Sequence, residues 1–419
     1  MNGYRKSPVI VKGIFLLILP QTYFEDIPYT YWQKVKNYPF AGYDFIIGRD
    51  GHLYFIEANA IPGGLSVITH AYRLLKWHLP PRYRKLGSYL EKIVEMFAKM
   101  SIIHHVLNSG NMPRYAIITV PKDRKDLLNP EREYINYMLR AMGVKSWLVN
   151  LADCYVKDGK IIAKINGEGD ISPDLIIRRS SGLPKGLRQT VINPTEIGVI
   201  TGNKQKTYDT IINAPNNRIL NKIVRIPKTY YAKSPDDIIK YSREILDMGK
   251  PVIVKPINGK GGEDIIIIKN KEDITYKIRH AKIRRKYLVQ EIVEPVPFPA
   301  HDGYVYAFDV RVYAFLGYLL AVQIRRAPFP LNVHGSINLT EKNIVSNISA
   351  GGTLGLVLLD PDFDGMIKYV NTPSKVLPLP HRRILIDGKV LVFGERLIRM
   401  LTMAVRELTI ALSNAVEGA

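Results

Sequence analysis

The sequence predicts an α/β (α+β) protein of more than one domain, and three observations carry that prediction. Between residues 113 and 200, buried-type strands alternate with amphipathic helix at short intervals, the pattern of a small parallel sheet. From about residue 200 the pattern turns strand-rich with interspersed helices, and it ends in an amphipathic helix from Gly394 to Ala415. Near the other end, residues 41–64 read AGYDFIIGRDGHLYFIEANAIPGG, a β-hairpin dense in functional side chains. At 419 residues the chain is long enough for two or three domains with cores of their own.

The apolar run from Gly13 to Pro20 reads as a buried strand. It is too short to span a bilayer, and Gln21 and Asp26 follow without a small-residue cleavage site, so a cytoplasmic protein is expected. In the hairpin, a strand from Tyr43 to Ile47 meets the turn Gly48-Arg49-Asp50-Gly51, and a second strand runs from Leu53 to Ala58. Period-two alternation places Glu57 and Asn59 on one face, with Asp44 across from them. Two carboxylates and an amide oxygen at a strand end suit a hard divalent cation such as Mg²⁺ (or Mn²⁺), which shares oxygen ligands with phosphate.

Residues 65–108 are expected to be helical, with apolar spacings of three and four through 89–100 and a break at Pro80-Pro81. Asn108 to Pro113 is the linker candidate. The α/β unit then offers strands at Tyr115–Val120, Trp147–Asn150 and Asp174–Arg178, with a helix from Pro130 to Met142. Farther on, Pro251-Val-Ile-Val-Lys-Pro256 is a strand that delivers Lys255 to a fixed point. The turn Gly259-Lys-Gly-Gly262 follows, and the lack of Cβ at Gly259, Gly261 and Gly262 lets backbone N–H groups approach phosphate oxygens. It lacks the G-K-[S/T] ending of a Walker A loop.

Composition narrows the class. Hydrophobic residues make up 46% and charged residues 23%, the proportions of a folded globular chain rather than a disordered one. One cysteine, Cys154, excludes an intrachain disulfide and a Cys-rich zinc site, and the nine histidines show no metal spacing. The formal charge of +21 is spread along the chain. It suits an anionic small substrate, an acidic carrier protein or nucleic acid; a membrane partner is not expected.

The hairpin pattern, G-x-D through E-x-N-x-x-P-G, resembles the closing metal-binding hairpin of the ATP-grasp superfamily. Other motifs agree with that resemblance: Val191-Ile-Asn-Pro194, Asn203-Lys204, Ile226-Pro-Lys-Thr229, the Lys255 strand, Gln290-Glu-Ile-Val293, Asp309-Val-Arg311, Arg325-Arg-Ala-Pro328 and Asn347-x-x-x-Gly-Gly352. The resemblance implies ATP and Mg²⁺ as cofactors, with Asp44, Glu57 and Asn59 as metal ligands and Lys204 and Lys255 on the nucleotide phosphates. It makes Gln290, Glu291, Ile292 and Val293 a hinge whose backbone at Glu291 and Val293 pairs with the adenine edge, and it puts Asp309 near the ribose. Arg326, with Arg325 close behind, and Asn347 would face the transferring phosphoryl group.

In that superfamily the hairpin comes last in the catalytic domain, whereas here it comes first, which implies a circular permutation. The division expected is a hairpin segment (1–64), a helical segment and linker (65–112), a preceding α/β domain (113–200), an ATP-binding lobe (201–295) and the rest of the catalytic lobe (296–419). The motif series most resembles the glutamate ligases acting on ribosomal protein, tetrahydromethanopterin or a lysine-biosynthesis carrier. Activity would then be carboxylate–amine ligation through an acyl phosphate. The alternatives are a non-catalytic nucleotide-binding or nucleic-acid-associated protein and an ATP-grasp kinase. Whether the hairpin completes its own chain or a neighbour in a homo-oligomer stays open at this stage.

Overall fold

The computed structural model describes residues 29–121, 130–258, 264–280, 286–333, 336–337, 340–346, 351–379 and 382–417. The apolar run at 13–20, Gly259, Gly261, Gly262 and Asn347 lie outside the described residues.

The hairpin forms as strands Phe40–Ile47 and Leu53–Asn59, and its turn uses Gly51 at φ 76°, a backbone state that costs glycine little. It begins three residues earlier than the alternation suggested, because Phe40 pairs with Phe315 and its amide donates to Asn193 Oδ1 at 3.0 Å. The hairpin is no surface appendage. Its first strand pairs antiparallel with Phe308–Phe315, and its second pairs parallel with Val224–Arg225. From Phe308–Phe315 the sheet continues through Tyr318–Arg326 and Thr353–Leu359 to Arg382–Ile386 and Lys375–Leu379. The pairing is within the one chain.

Two apolar layers hold this sheet. On one face Tyr43, Phe45 and Phe55 meet Leu401, Val405 and Leu408 of the C-terminal helix, Glu395–Glu417. On the other, Phe40, Tyr313 and Phe315 pack under Phe97 of the helix Ile93–Ser109. Burying these side chains is the main driving force for the layers. The segment just ahead of the first strand, Tyr29–Val35, is helical and packs on the C-terminal helix. Asn37 N donates to Ser413 Oγ at 3.2 Å, so the end of that helix lies where the hairpin begins.

A second sheet, four-stranded and antiparallel, runs Thr229–Ala232, Tyr287–Glu291, Val252–Pro256, Ile266–Ile268. It carries the helix Pro235–Asp247, opened by a capping box between Ser234 and Asp237. A third sheet is wholly parallel, in the order Lys145–Asn150, Tyr115–Val120, Leu175–Ile177, Thr190–Ile192. Its order reverses beside Tyr115–Val120, which makes that strand's carboxyl end a topological switch point. Three short antiparallel strands between Cys154 and Ile171 have mostly exposed side chains and so leave little hydrophobic signal in the sequence.

Candidate functional site

The site is built on one face of the large sheet and one strand of the antiparallel sheet. Lys255 lies in the buried strand Val252–Pro256, and its Nζ donates to Gln290 Oε1 at 2.8 Å. The Gln290 amide donates in turn to Thr229 Oγ1 at 2.7 Å and to the Tyr208 hydroxyl at 3.2 Å. Tyr208 then donates to the carbonyl of Ile56, on the second hairpin strand, at 2.8 Å. Gln290, expected at the nucleotide, spends its side-chain oxygen on Lys255 and its side-chain nitrogen on Thr229 and Tyr208.

Lys204 opens the helix Lys204–Ile212, capped by the Asn203 side chain, and its amide donates to Ile257 O just after the Lys255 strand. Lys204 Nζ lies 3.9 Å from Glu57 Oε1. The structure thus brings Glu57, Lys204 and Lys255 together across nearly two hundred residues of chain. Burial pushes the Lys255 ammonium down, the nearby Lys204 charge pushes it further, and Glu57 only partly offsets them, leaving its pKa at about 7.

Asp44 is the register partner of both Glu57 and Arg311. Its carboxylate is 2% exposed and fully engaged: Arg311 donates to both oxygens at 2.7 Å, and Arg325 donates to Oδ2 at 2.8 Å. Burial alone would raise this carboxyl, but the two guanidinium groups outweigh it and hold it down at about 2. The expectation of Asp44 as an open metal ligand is corrected accordingly. It serves as the counter-charge of two arginines.

Asn59 stands opposite Gly42 on the same face, and its Nδ2 is buried without a hydrogen-bond partner among the described residues. No three His, Cys, Asp or Glu side chains form a metal cage among the described residues. Glu57, whose side chain is one-third exposed, and Asn59 nevertheless fit a hard cation that takes its other oxygens from phosphate and water, as Mg²⁺ does.

Arg325 also donates to both oxygens of Asp309, at 2.7 and 2.6 Å, and Ser346 bonds the same carboxylate. Burial raises the Asp309 carboxyl against the pull of Arg325. Arg326 goes elsewhere. Adjacent strand residues face opposite sides, and its guanidinium lies 3.8 Å from the centre of the Tyr306 ring and 3.2 Å from Asp387. Of the two arginines expected at the phosphoryl group, Arg325 is the one that joins the Asp44–Asp309 cluster.

At the hinge, the amides of Glu291 and Ile292 are committed to Lys228 O and Pro251 O. The Lys228 amide bonds the Glu291 carboxylate at 3.0 Å rather than its carbonyl, so the carbonyl lacks that ladder bond. The Val293 side chain is half-buried beside it.

Arg311 also belongs to the cluster, and its one signal in the sequence is its place two residues after Asp309, on the same strand face.

Comparison with known proteins gives a fold. The chain matches no family model and no curated protein. Among solved structures, a protein of Methylobacillus flagellatus that carries the provisional name gamma-glutamylcysteine synthetase superposes with a TM-score of 0.54 at 14% identity, over 93% of this chain and 92% of that one. A RimK-domain ATP-grasp protein of Sphaerobacter thermophilus matches at a TM-score of 0.33 and 12% identity, over 72% and 98%. A glutathione synthetase-like effector of Globodera pallida matches at 0.43 and 12%, over 76% and 78%. The first of these shares the overall fold with this chain.

Proposed function

We propose that the protein is an ATP-dependent carboxylate–amine ligase of ATP-grasp type. One observation carries the reading: the hairpin at 40–59 places Glu57 3.9 Å from Lys204, in the electrostatic reach of the buried Lys255. A carboxylate beside two lysines at the junction of two sheets is a site for a metal-bridged polyphosphate. Lys204 and Lys255 bind the phosphates, the Glu291 carbonyl and Val293 amide take the adenine edge, and Glu57 and Asn59 hold Mg²⁺, which supplies charge neutralisation when bound. Asp44 sits behind them and fixes Arg311 and Arg325 in place.

In the reaction, a substrate carboxylate oxygen attacks the γ-phosphorus and ADP leaves, giving an acyl phosphate. An amine then attacks the acyl carbon, phosphate departs with the bonding electrons, and the amine loses one proton to give the amide. Arg325 is the guanidinium for the phosphoryl oxygens. Its role is positioning and charge stabilisation, which dominate phosphoryl transfer.

The hairpin's early place in the chain is read as a circular permutation, supported by the Asn37–Ser413 contact at its start. The surplus of basic residues supports an anionic acceptor, such as a glutamate-rich molecule or an acidic carrier.

The test is ADP release across amino acids and acidic peptides, supplied singly and in pairs. Release that requires both a carboxylate and an amine supports ligation. Release with a carboxylate alone, indifferent to every amine, would replace it with a kinase, and absence of MgATP binding would end the catalytic reading.

A further inference from the structure

The open end of the hairpin is gripped from the parallel-sheet unit, and the grip is charged and buried. Asn193, just after the strand Thr190–Ile192, bonds Phe40 N and O and also Ala60 O, so it clasps both hairpin strands. Beyond Asn59 the chain passes through Pro62, Gly63 and Gly64 into the helix Leu65–Leu75. Arg179 Nη1 donates to Pro62 O at 2.7 Å, and the Tyr313 hydroxyl donates to Gly63 O at 2.8 Å. Glu131 Oε2 accepts from Gly64 N at 2.9 Å and from Ser66 N at 3.1 Å, taking the first amides of that helix. Its other oxygen pairs with Arg179 Nη2.

Both charged side chains come from the carboxyl edge of the parallel sheet. Glu131 is the second residue of the helix Pro130–Ala141, and Arg179 follows the strand Leu175–Ile177. The amides of Arg179 and Ser180 both donate to Thr119 Oγ1 on the neighbouring strand, which fixes where the guanidinium starts. Gly64 is at φ 116°, and a Cβ there would come within 2.7 Å of the Tyr313 hydroxyl, so the loop passes as close as a backbone can.

The two side chains are 5% and 3% exposed. Withdrawing both charges from water costs enough that such a pair adds little to stability over an apolar one. What it adds is a fixed position for the five residues that follow Ile61.

We infer that Glu131 and Arg179 are positioning residues for the metal-ligating end of the hairpin, acting through Pro62–Ser66 on Asn59 and Glu57. The inference rests on the proposed function, since it presumes that those two residues hold the cation. Outer partners of metal ligands set ligand geometry, and their loss typically costs about 10–100-fold in metal affinity.

The test uses the double variant Glu131→Gln/Arg179→Met. It removes both charges at once, strands neither, and leaves an acceptor for Gly64 and Ser66. Mn²⁺ binding is read by electron paramagnetic resonance with a non-hydrolysable ATP analogue on the full chain, and analogue binding is read separately in EDTA. Expected is Mn²⁺ affinity weakened ~10-fold or more, with metal-free analogue affinity and the unfolding midpoint little changed. Arg179→Lys, which keeps the charge but loses the fork, is expected to fall between wild type and the double variant, and it serves if the double variant does not fold. Unchanged Mn²⁺ affinity in a folded variant overturns the inference while leaving the ligase reading in place. Parallel loss of metal-free analogue binding overturns it too, as general damage. Wild-type protein that binds no Mn²⁺ with the analogue overturns both.

Discussion

Replacing Lys255 with Met should make the resting protein more stable while removing its ATP turnover. The ammonium is buried, stands near Lys204, and has its pKa pushed from 10.5 to about 7. At ~1.4 kcal/mol for each tenfold, charging it in the folded chain costs roughly 4–5 kcal/mol more than in the unfolded one. The direction follows from linkage. The folded pKa is the lower, so the unfolded chain takes up the proton first as pH falls, and the stability associated with the neutral amine is complete above pH 10.5 and lost on descent towards 7. Methionine cannot be charged and keeps most of the volume. Against this stands the Gln290 oxygen, which loses its donor at a cost of about 1–3 kcal/mol. The net gain at pH 7 is then about 1–4 kcal/mol, shrinking or reversing by pH 10. Thermal unfolding of both proteins at the two pH values, alongside ADP release, is the assay. A variant no more stable at pH 7 than wild type, with a difference independent of pH, would refute the electrostatic argument, and a variant that still turns over ATP would remove Lys255 from the site.

Glu57→Gln should lower MgATP-dependent turnover by orders of magnitude and weaken Mn²⁺ binding while the fold persists, because the side chain is one-third exposed and packs little; unchanged metal affinity would exclude it as a ligand. Arg325→Lys should lower kcat far more than it raises the Kd for nucleotide, since lysine keeps the charge but not the two-carboxylate fork, whereas Arg326→Lys, across the sheet against Tyr306, should affect kcat little; steady-state kinetics showing the reverse ranking would restore Arg326. Nucleotide binding near pH 8 should draw a proton onto Lys255, because polyphosphate favours its charged form, so affinity should fall as pH rises from 7 towards 10; calorimetry in buffers of different ionisation enthalpy reads the uptake, and none in the wild type would count against that coupling.

The two arginines show where sequence reading stops. The turn at Leu316-Gly317 pairs Phe315 with Tyr318 and Ala314 with Leu319. Continued without interruption, that register would set Asp309 opposite Ile324 and bring Arg326, not Arg325, onto the Asp309 face. One extra residue at Leu320 shifts the pairing, so that Tyr313 meets Ala321 and Asp309 meets Arg325. A single bulge reverses the facing of every later residue on a strand, and nothing in Tyr318-Leu-Leu-Ala-Val announces it. By contrast, the hairpin, the helix from Pro130, the strand carrying Lys255 and the C-terminal helix were legible, because each is a local periodicity bounded by turn or cap residues. Asp44 was legible as a carboxylate on the right face but not as a neutralised one, since its partners Arg311 and Arg325 come from strands more than 260 residues away.

The charge balance of the cluster bears on the order in which it fills. Asp44 and Asp309 are matched by Arg311 and Arg325, so the buried quartet is close to neutral and offers little net attraction to a free carboxylate. What remains is Glu57 against Lys204, with Lys255 near half-charged at pH 7. Such a site is also close to neutral at rest. A polyphosphate changes it, because its charge favours protonation of Lys255 and makes a divalent cation necessary beside Glu57. On the ligase reading proposed above, nucleotide with its metal would complete the field in which an acyl phosphate is tolerated, and a carboxylate arriving first would meet Glu57 with little net positive charge to offset it. On that reading, MgATP is expected to bind before the acid.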